Sequence, residues 1–466
     1  MLFSEAFNIK GEKNCEWFDP IIHQDTELFI DPFLVFKTND TLFKGVYDEM
    51  MQFFKIAFKL VAMSKGKKSS KEYINAINMF ETHEVNEICL GYSPANRGSG
   101  FSKGWAEIIV ENIEKAIKHN ILELEHFEEI SIFSKGIGPD YISDITANLM
   151  KDRLVLYTSN ICKKYEIGLK KKKLKKHRFN WDTFEWIDED VFLPIYEGNR
   201  KKAILLVPKK FLCEKPEINY NNFDYYLSKN EQLREKLNIE IGKNLSKKEI
   251  IEIVLENHSI LKGYIKTIEK SEGNPYDLDE DILLRYRWYE KARDIVNENP
   301  LIINSPRNER EFRNFIGSFV SYFKDYIEQN LGYRSLWNEE LSISKSENAV
   351  MLLFEGIIEQ LAYKNNIDLE RKEKQEYILT EFRFPTGKIS ATLIQAKLAN
   401  NTKYWNSLYF HLDKYLKDTG NNYGVIAVIE YRENDSKRVK DIQNKISKYN
   451  KKKGMNIKLF IIHAMP

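Results

Sequence analysis

The residues best suited to chemistry lie between Thr380 and Asn401, in the string TEFRFPTGKISATLIQAKLANN. Glu381 falls in an apolar-alternating stretch that reads as a strand, and Gly387 marks a hairpin turn. Gln395 and Lys397 are two residues apart on the next strand, so both point to one face of the sheet. The run before Lys397 is largely apolar, and a lysine at the end of a buried run needs a partner or a task. Phosphodiester hydrolysis would supply the task. It requires oxygen donors for Mg²⁺, which is held by one or two carboxylates with waters and phosphate oxygens. It also requires a cation beside the attacking water to offset developing negative charge. An acid on one strand, with an amide and a lysine on the next, can meet both needs.

These residues resemble the PD-(D/E)xK nuclease superfamily, in its QxK form typical of Mrr-like restriction endonucleases. Glu381 stands where the family has its metal-binding Asp, Gln395 where it has the second acid, and Lys397 where it has its lysine. TEFRFPTG and QAKLANN are similar to the wider strings VDFxFxxG and EVKLAxN of bacterial proteins with this domain. The resemblance spans about residues 346–462. It implies Mg²⁺ or Mn²⁺ held by Glu381, Gln395 and a first-helix acid. Glu355 is the first choice for that acid and Glu347 its rival, with Glu359 one turn beyond Glu355. It also implies a nucleic-acid substrate, DNA ahead of RNA, and a setting in bacterial restriction or antiviral defence, with a defence partner protein and an oligomer both left open. Because both family acids are replaced, an alternative stands beside this reading: an inactive nucleic-acid-binding or scaffold subunit of the same fold.

Three other features carry charge in suggestive patterns. The run KKKKLKKHR contains Lys170, Lys171, Lys172, Lys173, Lys175, Lys176 and Arg178. It is a candidate phosphate-binding stretch, or else a solvated linker. In SKGIGPDYISDITANL, Gly136 and Gly138 precede a helix whose start could hold an anion. Asp140 and Asp144 on that helix stack one turn apart and could contact a metal, or simply favour the helix dipole. The acidic group Asp277, Asp279, Glu280 and Asp281 lacks the glycine and ligand spacing of a calcium loop and reads as a charged helix start.

The elements that must position the C-terminal group follow from periodicity. Residues 346–363 read as a helix, with strands at 377–384 and 388–396 and a helix at 403–416. A strand at 424–431, a helix at 437–449 and a strand at 457–462 complete the unit. The predicted class is α/β. A restriction-endonuclease-like domain, a mixed sheet flanked by helices, occupies 336–466. It follows a mixed recognition or partner domain at 1–215 and a helical region at 216–335. Within the latter, Ser246 and Glu249 form a capping box ahead of an apolar-periodic run to Ile268. Ser305-Pro306 predicts the start of a helix carrying Phe312, Phe315, Phe319, Phe323 and Tyr326 on one face. Of the 466 residues, 42% are hydrophobic, enough for packed cores, and 71 basic residues nearly balance 69 acidic ones. The four cysteines, Cys15, Cys89, Cys162 and Cys213, form no CxxC pair and so no zinc ribbon or disulfide framework. No HExxH occurs. No apolar run approaches the ~20 residues of a membrane span, and the N-terminus lacks a signal-peptide pattern. A cytoplasmic protein without membrane contact is the expectation.

Overall fold

The computed structural model describes residues 1–9, 15–22, 24–91, 103–198, 201–237, 239, 245–281, 286–337, 341–342, 344–373 and 378–466. The chain divides into two compact units, Met1–Asp277 and Leu278–Pro466. The helices of 216–335 therefore fall on both sides of the division. Among the described residues, no helix is long and apolar enough to cross a membrane, and no disulfide joins the cysteines.

The N-terminal unit is built mostly of helices. In helix α1 (Val46–Ser64), Met51, Phe54, Ala57, Phe58 and Val61 recur at helical spacing; all but the half-buried Met51 are buried, and Phe53 joins them in the core. It packs with α2 (Lys71–Phe80) and α3 (Lys103–Lys118). Helix α4 (Pro139–Leu149) begins with Pro at its first turn after Gly138 and is followed directly by α5 (Lys151–Lys164). Strands β1 (Lys170–Asn180) and β2 (Glu185–Leu193) form an antiparallel hairpin. The capping box at Ser246 forms as expected, and the apolar run behind it breaks at Asn257 into α6 (Lys247–Glu256) and α7 (His258–Ile268).

The C-terminal unit carries a five-stranded mixed sheet flanked by helices. Helix α8 (Trp288–Glu298) starts the unit's described helices. Helix α9 (Glu309–Gln329) is capped by Asn308, not by Ser305, because the Asn308 side chain accepts from the Glu311 N–H. Its stripe of Phe312, Phe315, Phe319 and Phe323 is buried. Then follow α10 (Glu347–Lys364), β3 (Asp368–Glu373), β4 (Ile378–Arg383) and β5 (Ile389–Leu398). After these come α11 (Thr402–Asn406), α12 (Leu408–Thr419), β6 (Tyr423–Glu430), α13 (Ser436–Lys453) and β7 (Asn456–His463). Strand β3 is an addition to the elements predicted from periodicity. The sheet order is β7-β6-β5-β4-β3. Strand β4 runs antiparallel to both β3 and β5, and β5, β6 and β7 are parallel.

Strand β6 is buried along its whole length because helices cover both faces, as parallel strands require. On one face, Leu393, Ile426 and Val428 join Leu408, Leu412 and Tyr415 of α12 and Val439, Ile442 and Ile446 of α13 in a single core. On the other, Phe382 and Phe384 meet the rings of Phe312 and Phe315 edge-on.

Candidate functional site

Strand β5 turns Leu393, Gln395 and Lys397 to the face covered by α11 and α12. Leu393 is absorbed by the core there, whereas Gln395 and Lys397 reach the end of the strand, where the chain turns into α11. Tyr404 of α11 serves both. Its phenol donates to Gln395 Oε1 at 2.6 Å, and its ring lies 5.2 Å from the Lys397 ammonium. Burial, reinforced by the charge of Glu347, keeps the Tyr404 phenol well above its ordinary pKa, so it remains a donor.

The acid beside Lys397 is Glu347, the first residue of α10. Its Oε1 is 3.2 Å from Lys397 Nζ, and its Oε2 accepts the Leu398 N–H at 3.0 Å. The Asn401 amide donates to both oxygens, at 2.9 and 3.0 Å. Asn401 also caps α11 through the Tyr404 N–H, so one side chain fixes both the acid and the helix that carries Tyr404. The helix dipole of α10 adds to the stabilisation of a carboxylate at this position. Met351 Sδ, one turn along α10, contacts Lys397 Nζ at 3.4 Å.

Glu381 is on the same face of the sheet and is not brought to Lys397. The β4–β5 register pairs Glu381 with Ala391, four residues short of Gln395 and six short of Lys397. At ~3.3 Å per residue these offsets are about 13 and 20 Å. The tight turn around Gly387, whose φ is +79°, sets that register. Glu381 is held instead by Arg383, 3.0 Å away, which also reaches Glu370 on β3. Glu355 is buried within α10, eight residues beyond Glu347 and so about 12 Å along the helix axis. Of the three first-helix acids, Glu347, Glu355 and Glu359, Glu347 is the one at the lysine. Asn401 and Tyr404 were not anticipated. The signal for Asn401 was its place before a short aromatic helix, where Asn is a favoured cap. His411 stacks on Tyr404 and is within 2.9 Å of Ser407 Oγ.

Among the described residues, no three carboxylate, imidazole or thiol groups converge to hold a metal ion. The Lys397 cluster contributes one carboxylate and one amide oxygen. Mg²⁺ binds through as few as one carboxylate when waters and phosphate oxygens complete its shell, so this donor set meets the lower limit for that ion.

The basic run of the N-terminal unit is strand β1, not a linker. Its partner β2 is acidic, and the charges match across the hairpin. Lys171 pairs with Asp190, Lys173 with Asp188 and Arg178 with Glu189. Lys170 reaches Glu197 and Lys176 reaches Glu81. Paired in this way, the run presents far less net positive charge to phosphate than its sequence suggests. At the start of α4, Asp140 and Asp144 are joined by Asp25 and Glu84, and acids gathered there oppose an anion.

Residues 8–219 match a family described as Domain of unknown function (DUF8370), and residues 312–433 match a second, Domain of unknown function (DUF8371). No curated protein and no solved structure matches the chain.

Proposed function

We propose that the protein is a metal-dependent phosphodiesterase acting on nucleic acid, DNA in the first instance, with its chemistry in the C-terminal unit. The observation that carries the reading is the Lys397 cluster: a lysine, an acid and an amide gathered at the end of a central strand. A mixed sheet flanked by helices agrees with the restriction-endonuclease-like fold that the QxK resemblance implies. Glu347 and Gln395 are the donors that would hold Mg²⁺ or Mn²⁺, and Glu381 and Glu355 have no place beside them in this arrangement. The ion, when bound, would polarise the scissile phosphate and lower the pKa of water.

The chain's own groups do the rest. Lys397 holds the attacking water and offsets charge on the phosphate. Tyr404 fixes Gln395 by hydrogen bond and guides the lysine with its ring. Asn401 orients the Glu347 carboxylate. A role in restriction or antiviral defence, with a partner protein, belongs to this proposal through the same resemblance. We do not extend it to the β1 basic run, in which Lys171, Lys173 and Arg178 pair with acids of β2 and Lys170 and Lys176 with Glu197 and Glu81.

A second reading is favoured by a specific observation. Glu381 is tied to Arg383 away from the lysine, leaving one carboxylate in the cluster, as in a binding or scaffold subunit that has lost catalysis. The test offers the full chain duplex DNA, single-stranded DNA and RNA with Mg²⁺, Mn²⁺ or EDTA. Cleavage that needs the metal and disappears in Lys397→Ala supports the first reading. Binding without cleavage of any of these substrates supports the second.

A further inference from the structure

The N-terminal unit contains a second group of ionisable side chains, separate from the Lys397 cluster. We propose that Asp25, Glu84, Asp140 and Asp144 form a binding site for a hydrated divalent cation of the Mg²⁺ class. This proposal does not rest on the nuclease reading.

The fold draws the four acids together from three segments. Helix α4 stacks Asp140 and Asp144 one turn apart. The Thr26 N–H donates to Cys89 O, and the Gly91 N–H donates to Thr26 O. These bonds lay the segment holding Asp25 alongside residues 89–91. Gly91 in turn abuts Asp140: a Cβ at Gly91 would stand 3.0 Å from Asp140 Oδ1. Asn148 of α4 donates to His83 O at 2.6 Å, which brings the neighbouring Glu84 onto the helix.

Asp25 supplies the independent observation. It is 6% exposed, and neither of its carboxylate oxygens has a hydrogen-bond partner among the described residues. An unpaired buried carboxylate is unfavourable unless something compensates its charge. The local cations compensate only in part. Lys202 faces Asp25 and Glu84. Lys151 faces Asp144, but its ammonium already donates to Asn148 Oδ1 at 2.7 Å and to Lys176 O at 3.1 Å. Burial, and then repulsion among the acids, raises the pKa of Asp25 to about 8 and that of Asp144 well above the usual range. A bound cation would reverse both effects.

The ion class follows from the same geometry. No three of these groups close on one point among the described residues. That disfavours the closed cages of Zn²⁺ and the six to eight oxygen ligands of Ca²⁺. Mg²⁺ keeps several waters and takes one or two carboxylates directly, leaving the other acids to accept hydrogen bonds from those waters.

The experiment is thermal unfolding of the full chain with Mg²⁺ or Mn²⁺ alone, paired with Mn²⁺ titration by electron paramagnetic resonance. At tenfold the Kd, the melting midpoint of the N-terminal unit should rise by about 3–6 °C. Asp25→Asn and Asp144→Asn should each weaken Mn²⁺ binding at least tenfold and abolish the rise. Both should also raise the cation-free midpoint, because a neutral amide removes the cost of burying a carboxylate and its repulsion by the other acids. Asp140→Asn, at the half-buried helix start, gives the same reading if a buried variant fails to fold. Glu347→Gln should leave the rise intact, separating this site from the Lys397 cluster. No cation-dependent rise, or a rise that survives in the Asp25 and Asp140 variants, overturns the proposal.

Discussion

Replacing Glu347 by Ala should destabilise the C-terminal unit more than replacing Lys397 by Ala, although the two form one ion pair. The asymmetry follows from what each substitution strands. Without Lys397, the Glu347 carboxylate keeps the Leu398 N–H and the Asn401 amide as donors. The cost is then about 1–3 kcal/mol, the range for losing one charge-assisted contact. Without Glu347, a lysine side chain only 17% exposed loses its acid. The Leu398 N–H and the Asn401 amide lose their acceptor at the same time. That places Glu347→Ala near 3–5 kcal/mol, the range for leaving a poorly solvated charge uncompensated. The double substitution should cost less than the sum of the two, with a coupling of about 1–3 kcal/mol. Urea unfolding of all four proteins, followed by tryptophan fluorescence, measures each quantity. Equal losses for the single variants, or strict additivity, would refute the assignment of Glu347 as the hub. In the cleavage assay, Lys397→Ala should lose at least about 10²-fold in rate while still binding nucleic acid, if the lysine stabilises transition-state charge.

Three further expectations concern other parts of the molecule. Changing Lys171, Lys173 and Arg178 together to Gln should alter the slope of log affinity against log salt by less than ~0.9, the value of one phosphate contact; a drop near 0.9 per residue would make β1 a nucleic-acid surface after all. The N-terminal unit should melt at a higher temperature at pH 5.5 than at pH 8. Burial raises the pKa of Asp31 to about 7 and of Glu128 to about 8, so the folded state binds more protons than the unfolded chain and stability falls as pH rises through these values. His126, whose pKa burial lowers, acts oppositely, so Glu128→Gln should shrink the difference between the two pH values, and calorimetry at both would expose an unchanged difference. Gly356→Ala should destabilise the C-terminal unit by about 1–3 kcal/mol, because an added Cβ would stand 2.9 Å from the Trp288 ring; a melt with an unchanged midpoint would mean that the α8–α10 contact gives way freely.

Local pattern was enough to read several elements of this chain. The apolar spacing of α1, the Ser246 capping box and the phenylalanine stripe of α9 are each written in adjacent residues, and each forms as its spacing requires. Local pattern failed where a neighbour changed the outcome. The helix start moved from Ser305 to Asn308 because Asn308 can accept the Glu311 N–H while Glu311 reaches back to the Arg307 N–H. The run to Ile268 was uniformly apolar-periodic, yet it breaks at Asn257, where the backbone leaves the helical region at φ −137°.

The candidate site divides along the same line. A strand alternates its side chains with period two, so Gln395 and Lys397 share a face whatever surrounds them. That fact needs no more than their spacing in the sequence. The distance from Glu381 to Lys397 depends on hairpin register, a long-range choice made when residues 379 and 393 pair. Glu347 reaches Lys397 across 50 positions of sequence, because α10 packs with its first turn at the end of β5. The lysines of β1 look like a phosphate-binding run until an acidic strand folds back beside them. Only tertiary structure could decide these three points. Coulombic and hydrogen-bonding energies depend on separation in space, and spacing along the chain sets that separation only within a single strand or helix.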